Sequence, residues 1–181
     1  MNRIAQFEKV SFEQFKKDWI DTFSSKFYEY DEDVLDRLIG NIYNSIKLPK
    51  RATSGSAGYD FFCPYGFMIQ PNNTMKIPTG IRCKMESGWV LKAYPRSGHG
   101  FKYGTHLANT VGIIDEDYYN ADNEGHIKVK LSCDPRGEAK YFVIKPGDKF
   151  CQGIIREFFL AEGDDEVEKR DRYGGMGSTG N

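Results

Sequence analysis

Pro95-Arg96-Ser97-Gly98 places a guanidinium, a hydroxyl and backbone N–H groups within four residues. That set can hold phosphate oxygens through forked, charge-assisted hydrogen bonds, although an isolated tetrapeptide of this kind is also an ordinary turn. Gly112-Ile113-Ile114-Asp115-Glu116-Asp117-Tyr118-Tyr119 runs two isoleucines straight into an acidic cluster closed by aromatics. The order puts Asp115 at the mouth of a buried strand, where a carboxylate within hydrogen-bond reach of a water acts as a general base; the alternative is a solvated acidic turn. Gly174-Gly175-Met176-Gly177-Ser178-Thr179-Gly180, preceded by Arg170 and Arg172, lets backbone approach an anion that the arginines neutralise. It has no Walker-type lysine, and a Gly-Ser tail also serves as a plain linker. Ser54 to Asp60 and Lys145 to Gln152 read, taken singly, as loop-to-strand junctions.

These segments need elements to position them, and the chain changes character near residue 47. Before it, glycine is absent until Gly40 and the apolar spacing is helical. Ser11 and Gln14 form a possible capping box ahead of a stripe of Phe12, Phe15, Trp19, Ile20, Phe23 and Phe27. Asp31 to Asp33 open a second helix carrying Val34, Leu35, Leu38, Ile39, Ile42, Tyr43 and Ile46, with Asp33 and Arg37 spaced to pair on the solvent side. This helical hairpin at 1–46 packs on the main body, on a neighbouring subunit or on a protein partner. From Leu48 onward, short apolar runs are broken every few residues by Gly, Pro, Asn or Asp, the pattern of a β-sandwich or barrel. Nine strands are expected, the longest being His126 to Cys133 and Phe150 to Phe159. Residues 161–181, charged and then glycine-rich, read as a mobile arm.

The 181 residues suit one compact domain with a small appendage. Twenty-five Lys and Arg against 26 Asp and Glu leave a formal net charge of −1, so no global positive field draws the chain onto nucleic acid or anionic lipid. No 18-residue apolar run and no uninterrupted secretory core occur, which reads as a soluble, cytoplasmic protein. Cys63, Cys83, Cys133 and Cys151 are scattered without metal-ligand spacing, and read as reduced, packed thiols.

Taken in order, the five segments resemble the five motifs of the homotrimeric dUTP diphosphatases (dUTPases), over about Leu48 to Gly180. Ala-Gly-Tyr-Asp at 57–60 resembles the first motif, Pro-Arg-Ser-Gly at 95–98 the second and Asn109 through Tyr118 the third. Pro146 to Gln152 resembles the fourth, and Gly174 to Gly180 the fifth, the closing arm. The resemblance implies a mainly β fold, a β-clip or distorted jelly-roll barrel at 47–160 with the helical hairpin as an extension and the arm at 161–181.

It also implies hydrolysis of dUTP to dUMP and pyrophosphate by a water attacking the α-phosphorus, keeping uracil out of DNA. Asp115 matches the water-activating carboxylate. Arg96, Ser97, Gly98 and Gln152 match triphosphate contacts, with Arg172 (or Arg170), Gly177, Ser178 and Thr179 adding to them from the arm. Mg2+ is implied as the metal, Asp60 orienting its waters without touching the ion. Tyr118 matches the tyrosine under the deoxyribose that leaves no room for a 2′-hydroxyl. Asn109, Gly112 and the return strand near Lys128 match the backbone groups that read uracil. Homotrimeric sharing of sites follows from the same resemblance.

Departures from the pattern are few. The return glycine comes only at Gly125, so Tyr119 to Glu124 form a longer hairpin tip, as in phage-type and Gram-positive members, and Met176 stands where a phenylalanine usually covers the base. Two alternatives stand beside the hydrolase: a nucleotide-responsive regulatory module that binds a protein through the helices or the 119–124 tip, and a dCTP deaminase-like enzyme on the same scaffold.

Overall fold

The computed structural model describes residues 3–23, 31–134, 141–164 and 174. The chain opens with a strand that the apolar pattern does not announce, β1 (Ala5–Lys9), followed by α1 (Phe12–Phe23) and α2 (Glu32–Ser45). Ser11 caps α1, its Oγ accepting the Gln14 N–H at 3.1 Å. The other half of the box comes from far away in sequence: the Ser11 N–H and hydroxyl donate to the two carboxylate oxygens of Glu124 at 2.7 and 2.6 Å. Leu35, Ile39 and Ile46 turn inward, but Leu38 is 44 % exposed and leaves the stripe. The charged pairing across the hairpin joins Lys16 to Glu32 and Asp36, rather than Asp33 to Arg37 among the described residues.

Eleven further strands follow among the described residues, all antiparallel in their pairings. They are β2 (Lys50–Arg51), β3 (Tyr59–Phe62), β4 (Phe67–Ile69), β5 (Thr74–Pro78), β6 (Ile81–Met85) and β7 (Trp89–Pro95). After α3 (Ser97–Tyr103) come β8 (Thr105–Leu107), β9 (Gly112–Ile114), β10 (Lys128–Cys133), β11 (Phe142–Ile144) and β12 (Lys149–Glu157). A 3-10 helix at Glu116–Asn120 links β9 to β10. The largest sheet has the order β2-β3-β12-β7-β9, and smaller sheets β5-β10-β8, β11-β4 and β1-β6 complete a jelly-roll-like barrel. Its strands follow the short apolar runs of the sequence; β1, β2 and β8 are too short or too polar to be read there, and pairing forms them. The glycine-rich Pro95–Gly98 region, read as a turn, begins α3, because the Arg96 carbonyl accepts from both the His99 and Gly100 N–H groups.

One hydrophobic core runs through helices and barrel. Val10, Phe15, Trp19, Leu35 and Ile39 join Phe61, Ile77, Ile81, Leu91 and Ile127 in a single buried cluster. Trp19 stands edge-on to Tyr65 with ring centroids 4.6 Å apart, and Phe23 does the same at 5.2 Å. The four cysteines are free and buried, and burial pushes the Cys63 and Cys83 thiols up to about 12. No helix among the described residues is long and apolar enough to cross a membrane.

Phe15 has no exposed surface, so Phe15→Ala should cost about 3–5 kcal/mol. Urea unfolding followed by far-UV circular dichroism and by tryptophan fluorescence should then shift together, since helices and sheets melt as one unit.

Candidate active site

The structure gathers the candidate residues into two clefts. The first is a cavity of about 200 Å³ between β9 and β10, lined by Asn109, Gly112, Tyr118 and Lys128 together with the apolar Ala93, Leu107, Ile114, Ile127 and Val129. Its loop turns sharply at Thr110, whose φ of 65° is left-handed, with the Val111 N–H donating to the Asn109 carbonyl at 2.7 Å. Gly112 keeps the floor low: a Cβ there would lie 3.1 Å from that of Ala93. Tyr118 is 2 % exposed. Its hydroxyl donates to the His126 carbonyl at 2.9 Å and accepts from Asn123 Nδ2 at 2.8 Å. Gly125, at φ 66°, lets the return strand pass so close that a Cβ would sit 2.6 Å from the Tyr118 carbonyl oxygen.

Asp115 follows Ile114 directly and is the residue before the 3-10 helix that carries Tyr118, its carbonyl accepting the Tyr118 N–H at 3.2 Å. The residue is exposed. The longer tip is not a free projection. Tyr119 donates to Glu8 at 2.8 Å and lies under the Arg82 guanidinium, 3.8 Å from the ring centre, while Glu124 holds Ser11.

The second cleft, about 380 Å³, brings together Gly58, Asp60, Arg96, Ser97, Gly98 and Gln152. Strand register does this: Gln152 on β12 stands opposite Asp60 on β3 and Tyr94 on β7. Gln152 Nε2 donates to the Pro95 carbonyl at 3.2 Å, and its Oε1 occupies the space a Cβ at Gly58 would need. Asp60 is held between two cations, Arg96 Nε at 3.3 Å from one oxygen and Lys149 Nζ at 2.8 Å from the other. Arg170, Arg172, Met176, Gly177, Ser178 and Thr179 lie outside the described residues.

Both clefts draw on β7: the first includes Ala93, which pairs with Gly112, and the second includes Arg96, which follows Pro95 at the end of the strand. Leu91 pairs with Ile114, and Arg96 lies five positions further along the chain, about 17 Å in extended conformation. Asp115 therefore follows β9 near the start of β7, whereas Arg96 follows the end of β7.

Under the first cleft lies a buried charge cluster that the sequence does not announce. Asp18 on α1 sits with one oxygen 2.5 Å from His126 Nδ1 and the other 2.5 Å from Lys128 Nζ, and Gln14 Nε2 donates to it at 2.8 Å. His126 Nε2 accepts the Gly80 N–H at 2.8 Å, so the ring carries its proton on Nδ1, facing Asp18. Burial opposes ionisation of Asp18, but hydrogen bonds from His126, Lys128 and Gln14 together outweigh it and hold the carboxyl well below its ordinary range. Burial lowers the His126 pKa, partly offset by Asp18. Only the polar Gln14 and Asp18, spaced four apart on an aromatic helix, hint at this in the sequence.

A family model described as dUTPase matches residues 44–180. The deoxyuridine 5'-triphosphate nucleotidohydrolase of Lactococcus lactis is 43 % identical over 136 residues, covering 75 % of this chain and 89 % of that protein. The dUTPase of Streptococcus mutans superposes with a TM-score of 0.59 at 29 % identity, over 87 % of this chain and 98 % of that one. A mutant of the Staphylococcus bacteriophage 80alpha dUTPase with dUpNHpp has the same fold at 14 % identity and TM-score 0.57, over 99 % and 95 % of the chains.

A histidine whose folded pKa is depressed gives stability that is present above its unfolded value and lost as pH falls through the folded one, and the depressed Asp18 adds loss in the same direction at lower pH. Calorimetry should therefore show the melting temperature falling as pH drops below about 6.5, and His126→Gln should flatten that decline.

Proposed function

The chain belongs to the dUTPase family, and on that premise we propose that it hydrolyses dUTP to dUMP and pyrophosphate by water attack on the α-phosphorus. The observation that carries the reading is the narrow cavity that collects Asn109, Gly112, Tyr118 and Lys128, with Asp115 one residue beyond its wall at Ile114. Uracil enters edge-on, where the backbone around Asn109 and Gly112 and the return strand near Lys128 meet its carbonyls and N–H. A site that pairs every polar group of the right base leaves buried groups unpaired with the wrong one, so cytosine is rejected strongly. Thymine is turned away by its methyl group, and a 2′-hydroxyl by the fixed Tyr118 ring.

Asp115 takes the proton of the attacking water. Charge accumulates on the phosphate oxygens in the transition state, and Arg96, Ser97, Gly98 and Gln152 are the donors set to receive it. Arg172, Gly177, Ser178 and Thr179 of the arm complete the phosphate shell, and Met176 covers the base. Magnesium adds charge neutralisation on the phosphates when bound. It does not fit a protein-built cage here: both oxygens of Asp60 are engaged by Arg96 and Lys149, and the described residues contain no cluster of three metal-ligating side chains. Mg2+ therefore arrives with the triphosphate, and Asp60, which holds Arg96 and Lys149, touches the ion only through its waters.

The separation of Asp115 from Arg96 supports shared sites. One nucleotide bridges the nucleoside cleft of one subunit and the phosphate cleft of another, as in a closed homotrimer. The regulatory alternative gains nothing from the hairpin tip, because Tyr119, Asn123 and Glu124 are engaged within the chain.

Asp115→Asn should slow pyrophosphate release from dUTP by at least about 100-fold while leaving dUTP binding in place, a split read by turnover and calorimetric titration. Arg96→Ala should be inactive as well. Refolding the two inactive variants together should recover activity, because mixed trimers contain interfaces at which an intact Asp115 meets an intact Arg96; separately refolded controls should stay dead.

A further inference from the structure

We infer that Asp18 is a positioning residue for the nucleoside cleft, holding its return strand and Tyr118 in register from the N-terminal helix. The inference rests on the reading of that cavity as the uridine site. Asp18 is 5 % exposed and His126 is fully buried. One carboxylate thus binds the side chains of His126 and Lys128, while the His126 carbonyl binds the Tyr118 hydroxyl. His126 has no freedom left: its second nitrogen takes the Gly80 N–H. Ile127 and Lys128, the next two residues, line the cavity opposite Tyr118.

A buried carboxylate with three hydrogen-bonding partners, one of them cationic, is an expensive way to stabilise a fold, since well-packed apolar groups of the same volume do as well or better. What it supplies is orientation. A second, independent set of contacts braces the other end of the same hairpin: Ser11 holds Glu124, and Glu8 holds Tyr119. Glu8, Ser11 and Asp18 all lie ahead of residue 44, where the dUTPase model begins to match, while Gly80 and Arg82 add contacts from within the matched region. The N-terminal segment is therefore a built-in support for substrate recognition, supplied from outside the stretch that the family model matches.

Steady-state kinetics on the full chain with dUTP and UTP test this. Asp18→Asn keeps the volume but leaves Lys128 without its counter-charge. It should raise KM for dUTP about tenfold with kcat nearly unchanged, and narrow the preference for dUTP over UTP by a similar factor. Asp36→Asn, which removes a surface ion pair to Lys16 on the same hairpin, should change neither. A lower melting temperature in Asp18→Asn with KM and the UTP preference unchanged would overturn the inference and leave Asp18 a packing residue. If that variant does not fold, Lys128→Met, which leaves Asp18 its other two partners, must reproduce the KM shift, and an unchanged KM again overturns it. Tyr118→Ala separates the two layers. Should it leave both dUTP affinity and UTP rejection intact, the uridine reading of the cavity fails; should it alter them while Asp18→Asn does not, only the role of Asp18 falls.

Discussion

The antiparallel register of β7 is the constraint on which the site depends. This strand pairs along one edge with β12 and along the other with β9, and the pairings fix where each chemical group emerges. Ile114, and with it Asp115, is tied to Leu91, whereas Pro95 and Arg96 leave from the opposite end beside Gln152. A slip by one residue would turn the buried Leu91 and Ala93 to the other face, so the core holds the register.

Within each half of the site, close backbone approach does the shaping. Gly58 leaves room for the Gln152 amide, Gly112 for Ala93, and Gly125 for the Tyr118 carbonyl. At Gly58 and Gly125 any side chain would force a neighbour to move, and at Gly112 it would press on Ala93. The same economy governs Asp60, whose two oxygens hold Arg96 and Lys149 together at the phosphate cleft despite the repulsion of like charges.

The N-terminal helices share the barrel's core and reach its chemistry. Phe15 and Trp19 contribute apolar area, while Asp18, between them on the same helix, contributes a charge to His126 and Lys128 more than a hundred residues away. Burying that charge costs several kcal/mol per ion unless it is fully paired, and here three donors surround it. Glu124 completing the cap of α1 is the reciprocal arrangement, in which the hairpin tip stabilises the helix that supports it.

Much of this was legible in the residues themselves. Apolar runs with turn residues marked most strands, helical spacing marked α1 and α2, and five ordered motifs marked the family, because period and local turn chemistry are properties of neighbouring residues. Other features were not local and could not be read. β1 and β8 are strands because partners accept their hydrogen bonds, and α3 forms across glycines that by propensity signal a turn. Leu38 is left exposed while Leu35 and Ile39 of the same stripe are buried, a choice made by packing against the barrel. The sequence alone offered the side chains proposed to bind a triphosphate and activate a water. The tertiary structure decided that they fall into two separated clefts, and that a carboxylate at position 18 stands beneath one of them, since only long-range packing brings α1 against the return strand.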